Sequence, residues 1–143
     1  MTAAAIKSSR ILIVEGNARD RQSLANWLLA EGYEVLVAED GAEAVNTVRG
    51  HELDLVILNT NFPPDVAHGG GAFDDGFHVI GWLKRLKEAE TLRFLLMTDE
   101  DAAKLHDKAR ASGAKGLCQK PINPDTLLGV VRQILGGVPP PPE

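Results

Sequence analysis

The chain contains one cysteine, one tyrosine and no apolar run approaching the roughly 20 residues that a membrane-crossing helix needs. A lone thiol, Cys118, can build neither a disulfide framework nor a thiolate zinc cluster, and its place between Leu117 and Gln119 suggests core filling. Positive charge is also in short supply. The 15 lysines and arginines face 20 acidic residues, for a net charge of −5, and the acids are scattered rather than blocked. Without a basic footprint, DNA, RNA and anionic membranes are poor partners, and another protein is the better expectation. The four histidines, His51, His68, His78 and His106, lack the i, i+4 or Cys-paired spacing of a metal site. MTAAAIKSSR at the start has no apolar core of a signal peptide, so the expected location is cytoplasmic.

What is present is enough for one domain, since 143 residues can bury a core without disulfides or metals. Short apolar runs stand at RILIV (10–14), EVLVA (34–38), DLVIL (54–58), RFLLM (93–97) and KGLC (115–118). Segments of helical period lie between them. Asn17 caps the first, with Asp20 three residues on, Leu24, Trp27 and Leu28 on one face and Gly32 as the stop. The second takes Asp40 as cap and Ala42, Val45 and Val48 as its stripe; the third, capped by Asp74 or Asp75, carries Val79, Trp82, Leu83 and Leu86. The fourth has Ala102, Leu105 and Ala109 before Gly113, and the fifth has Asn123 as cap, Pro124 at the first position and Leu127, Val130, Val131 and Ile134 inward.

Five nearly all-apolar strands alternating with helices imply a parallel sheet covered on both faces, a doubly wound α/β domain. In that architecture chemistry gathers where the strands end. Those ends carry Glu15, Gly16 and Asn17, then Asn59, Thr60 and Asn61, then Thr98 and Asp99, then Lys120 and Pro121.

The stretches ILIVEGN, DLVILNTNFP, LLMTD and CQKP, in that order and spacing and with AEDGAEAV between, resemble the receiver domain of two-component response regulators. The resemblance covers about residues 9–136 and implies a flavodoxin-like, five-stranded sheet of order 2-1-3-4-5 with five helices. It further implies an aspartate after the third strand that accepts a phosphoryl group from a histidine kinase. Magnesium would be held by that aspartate, an acidic pair after the first strand and one backbone carbonyl.

Position by position, the match is incomplete. The acceptor position is Asn59, whose carboxamide has no anionic oxygen to displace phosphate. The acidic pair is Glu15 and Gly16, so Mg²⁺ would have Glu15 and the Asn61 carbonyl, and its binding is expected to be weak or absent. Thr98 and Lys120 match the hydroxyl and ammonium that contact phosphate, yet they serve equally as a strand-end hydrogen bonder and as a partner for Glu15 or Asp99. Asp99 occupies a position that is usually small and would repel a phosphoryl group. Leu117 stands where an aromatic switch residue is usual. In the family's pocket, each pair of carboxylates about 4 Å apart costs on the order of 4 kcal/mol at an effective dielectric of 20. Here one acid of three is left, and Lys120 can satisfy it without metal.

These substitutions predict a pseudo-receiver: a non-enzymatic module that binds signalling proteins, a histidine kinase or downstream effector, with no cofactor. Rival expectations are an acceptor moved to Asp65, Asp74, Asp75 or Thr60, a haloacid-dehalogenase-like phosphatase lacking its aspartate nucleophile, and small-ligand sensing under the 62–75 loop. FPPDVAHGGGAFDDG holds an insert at about 63–75, and loops beyond about 12 residues tend to be functional or disordered. Its glycines fit neither a dinucleotide fingerprint nor a P-loop, and Asp65 with His68 lacks the spacing of a cobalamin motif. Phe62, Val66 and Phe73 could fold it as a lid or leave it a surface loop. Leu128 and Leu135 are left over from the fifth helix and suggest a homodimer contact through helix 4, strand 5 and helix 5. Residues 1–8 read as an extension, and the proline-rich 137–143 as a tail or linker.

Overall fold

A computed structural model describes residues 9–60 and 76–136. The elements are β1 (Arg10–Val14), α1 (Ala18–Ala30), β2 (Glu34–Ala38), α2 (Gly41–Gly50), β3 (Leu55–Asn59), α3 (Gly76–Leu83), a 3-10 turn (Lys87–Ala89), β4 (Arg93–Thr98), α4 (Ala102–Ser112), β5 (Gly116–Gln119) and α5 (Pro124–Ile134). All neighbouring strands pair in parallel, in the order β2-β1-β3-β4-β5. The doubly wound, five-stranded expectation therefore holds, with strand limits within a residue of those read from the sequence.

Alternation along each strand sends successive side chains to opposite faces, and both faces are covered. Leu12, Val14, Val56, Leu58, Phe94 and Leu96 pack with α2, α3 and α4. Ile11, Ile13, Leu55, Ile57, Leu95 and Met97 pack with Leu24 and Leu28 of α1 and Leu127 and Val131 of α5. Helix starts are fixed by side chains that take an otherwise unsatisfied amide: Asn17 Oδ1 accepts from Asp20 N, Asp40 Oδ1 from Glu43 N, Asp101 Oδ1 from Ala103 N and Asn123 Oδ1 from Thr126 N. The α4 helix stops at Gly113, whose φ of 92° is left-handed.

Several stripes run in a different phase from the sequence reading. On α3 the buried line is Gly76, Val79, Ile80 and Leu83, which turns Trp82 outward to 46 % exposure with the Arg85 guanidinium 5.9 Å from its ring centroid. That helix ends at Leu83, so Leu86 packs from the following turn instead of from the helix. On α2 it is Gly41, Ala44 and Val48 that are buried, while Val45 packs at the margin of the core. Leu128 and Leu135 are not left over: both are half-buried against the α1–α5 core, because the packed arc of α5 is wider than its central stripe.

The expected caps Asp74 and Asp75 and the 63–75 insert lie outside the described residues, as do residues 1–8 and 137–143. The chain departs after Thr60 and re-enters at Gly76, and these two ends are joined by a 3.0 Å hydrogen bond from Gly76 N to Thr60 O. Gly76 lies so close to β3 that an added Cβ would run into the Asn59 carbonyl oxygen. The strand end that presents Asn59 is thereby clamped by the first turn of α3.

Candidate functional site

The carboxyl ends of β1, β3 and β5 bring three sequence-predicted residues together. Glu15 follows β1 and is 2 % exposed, Asn59 ends β3 at 3 %, and Lys120 follows β5 with its side chain 14 % exposed. The Lys120 Nζ donates to Glu15 Oε1 at 2.6 Å. The Asn59 amide nitrogen donates to both Glu15 oxygens, at 3.0 and 3.1 Å. This orientation of the amide is required chemically, because an ionised carboxylate only accepts.

Backbone completes the set, with Asn17 N donating to Glu15 Oε2 at 3.0 Å. Each carboxylate oxygen thus accepts two hydrogen bonds, which uses the roughly four lone-pair sites that such a group offers. The carboxylate is saturated by protein donors.

Two neighbours were missed at the level of sequence. Asp20 Oδ2 holds Lys120 Nζ at 3.0 Å, so of the two expected partners, Glu15 or Asp99, the lysine takes Glu15 and adds Asp20. Asp20 is available for this because the Asn17 amide, which an acid at Asp20 could have taken in a capping box, is taken by Glu15. Arg21 donates from Nη1 to the Glu15 carbonyl at 2.8 Å and pairs with Glu39 at 3.3 Å. An acid in the first turn after β1 was the available signal for Asp20, but its partner lies 100 residues away.

Burial opposes the charge of Lys120, and the hydrogen bonds and attraction of Glu15 and Asp20 outweigh it, raising its pKa above 10.5. The ammonium is therefore retained throughout the neutral range.

On the other side of the pocket, Thr98 is buried and its Oγ1 accepts from Glu100 N at 3.0 Å. Asp99 lies exposed beyond β4. Leu117 pairs with Leu96 across the sheet and is partly buried against the α2–α4 core. Cys118 is buried, and burial raises its thiol pKa, in keeping with core filling. Asn61, Asp65 and His68 lie outside the described residues.

The described residues of this pocket do not fit a magnesium ion. Gly16 brings no side chain, Asn59 points its NH₂ group at the carboxylate, and Glu15 has both oxygens committed to nitrogen donors. Among the described residues no group of three or more His, Cys, Asp or Glu could hold a metal.

A sheet of this order with such a strand-end pocket is the architecture of phosphorelay receivers. The response regulator receiver domain family matches residues 11–132, and the chain belongs to that family. It is 26 % identical over 129 residues to Protein PilH of Pseudomonas aeruginosa, covering 90 % of this chain and 99 % of that one. It is 23 % identical to the probable transcriptional regulator ycf29 of Pyropia yezoensis, where 90 % of this chain spans only 54 % of the relative. Among solved structures, the chemotaxis protein CheY4 of Vibrio cholerae superposes with a TM-score of 0.78 at 26 % identity, over 90 % of this chain and 99 % of that one. The response regulator TrrA of Thermotoga maritima, in complex with Mg²⁺–BeF, has a TM-score of 0.71 at 27 % identity, covering 88 % and 98 %. Among the described residues no helix is long and apolar enough to cross a membrane.

Proposed function

We propose that this receiver domain is of the pseudo-receiver type: a cytoplasmic, non-enzymatic module of two-component signalling that acts by binding proteins and takes no phosphoryl group at position 59. The observation that carries the reading is the saturation of Glu15 by Lys120, Asn59 and the Asn17 amide. A cation would have to displace those donors, and Mg²⁺ gives up its hydration water reluctantly. Asn59 itself offers no carboxylate for an acyl phosphate. Its partners are other signalling proteins, a histidine kinase or a downstream effector, and the α4–β5–α5 face is available for pairing with a second copy.

Thr60, at 3 % exposure, is poorly placed to serve as a substitute acceptor. Incubation with acetyl phosphate and Mg²⁺ followed by intact mass is expected to show no added phosphoryl group. Beryllofluoride with Mg²⁺, which TrrA binds, is expected to leave amide resonances at Glu15, Asn59 and Lys120 unmoved. A labile phosphoryl gain would overturn the reading, and peptide mapping would then say whether Asp65, Asp74 or Asp75 had taken the role.

A further inference from the structure

Beside the occupied pocket lies a second concavity of about 490 Å³, between α1, the end of β4 and the segment from β5 to α5. Its volume falls within the roughly 300–1,000 Å³ of small-molecule sites. Leu24 and Met97 form an apolar floor, while Trp27 and Ile122 supply half-buried walls. Asp20 and Asp99 stand at the polar side, and the ammonium that also lines it, Lys120, is already committed to Glu15 at 2.6 Å and Asp20 at 3.0 Å.

Lys120, the one cation that lines this concavity among the described residues, is held most closely by the buried Glu15. An anionic ligand would meet the Asp20 carboxylate with that ammonium already committed. A cation would meet a carboxylate at Asp20 that bonds the described residues through Oδ2 alone, next to an aromatic wall at Trp27.

We propose that this concavity is a binding site for a small organic cation with a flat apolar body, an aromatic amine or amidine, its head at Asp20 and its body between Trp27 and Ile122. Because Asp20 also holds Lys120, the bound head competes for the same carboxylate and shifts the lysine toward Glu15. The inference rests on the same Lys120–Glu15 bond as the proposed function; a phosphoryl gain reports on that reading, and the ligand titration below reports on this one.

The test is an NMR titration of the full chain with tryptamine and benzamidine, using indole-3-propionate as the anionic counterpart of tryptamine. Both cations are expected to give saturable shifts at the Trp27 indole N–H and the Ser23 and Ile122 amides, with tryptamine bound at least tenfold more tightly than the anion. Asp20→Asn is expected to remove that preference. Ser23→Trp, which fills the concavity from its rim, is expected to abolish binding and provides a second measure should the first variant fold poorly. No saturable shift with either cation, equal binding of the anion, shifts centred on Trp82, or an unchanged preference in a folded Asp20→Asn variant would each overturn the proposal.

Discussion

The pocket at the strand ends has two halves that have fared differently. On the β4–β5 side stand a hydroxyl and an ammonium, Thr98 and Lys120; on the β1–β3 side Gly16 and Asn59 carry no charge beside the single acid Glu15. The backbone does not distinguish the halves, since β1, β3, β4 and β5 all continue in regular parallel register up to the site. The contrast is chemical. With no second acid on its own side, Glu15 is neutralised by the cation of the other half, and Lys120 becomes a structural bridge between them.

The largest effect should come from cutting that bridge. Lys120→Ala leaves Glu15 buried with uncharged donors only, and loss of one partner of a buried pair costs about 3–5 kcal/mol. Urea denaturation of the variant reads this directly. A loss below about 1 kcal/mol would show that the lysine is a remnant and that the two halves are energetically separate.

Alkaline titration approaches the same bridge without mutation. The folded pKa of Lys120 is raised above its ordinary value by Glu15 and Asp20 despite opposing burial, so folding is favoured wherever the group is charged. That contribution is fully present below the unfolded lysine pKa of about 10.4 and is lost as pH rises through the higher folded value. Thermal melts between neutral pH and that range should show a fall in wild type that is blunted in Lys120→Met. Equal falls in the two proteins would remove Lys120 as the cause.

Restoring an anion to the depleted half should come next in size. Asn59→Asp sets a second carboxylate against Glu15 where the amide now donates at 3.0 and 3.1 Å, a repulsion on the order of 4 kcal/mol for charges about 4 Å apart at an effective dielectric near 20. Without divalent cation the variant is expected to be destabilised, and acetyl phosphate is expected not to label it rapidly, because Gly16 still supplies no ligand. Adding Gly16→Asp should make stability depend on Mg²⁺. Rapid labelling of the single variant would show that Asn59 alone separated this site from a working one, and that Gly16 does not matter.

Much of this was readable from residue order. Apolar runs placed the five strands to within a residue, the motif at each strand end named Glu15, Asn59, Thr98 and Lys120, and charge offered Glu15 or Asp99 as the partner of Lys120, of which the fold forms the first. The remainder depended on phase and distance. Helical periodicity put Trp82 on the inward stripe of α3, whereas the helix buries Gly76, Val79, Ile80 and Leu83 and exposes Trp82. Leu128 and Leu135 looked spare because sequence gives the centre of a buried stripe better than its width. The full saturation of Glu15 needed a backbone amide, which no residue type announces.

Asp20 tests the limits of the comparison with the smallest expected change. It reaches Lys120 at 3.0 Å, but with 45 % of its side chain exposed it works in a screened setting, where a pair contributes about 0.2–1 kcal/mol. Asp20→Asn should therefore lower stability by that amount at low salt and by less at high salt, measured by denaturant midpoints at two ionic strengths. A double-mutant cycle with Lys120→Ala separates the direct pair from secondary effects. Coupling near zero would place α1 outside the bridge, leaving Lys120 to Glu15 alone. Coupling well above 1 kcal/mol would mean that the lysine is shared evenly between a buried and a half-exposed acid, and that its grip on Glu15 can be adjusted from the surface of α1.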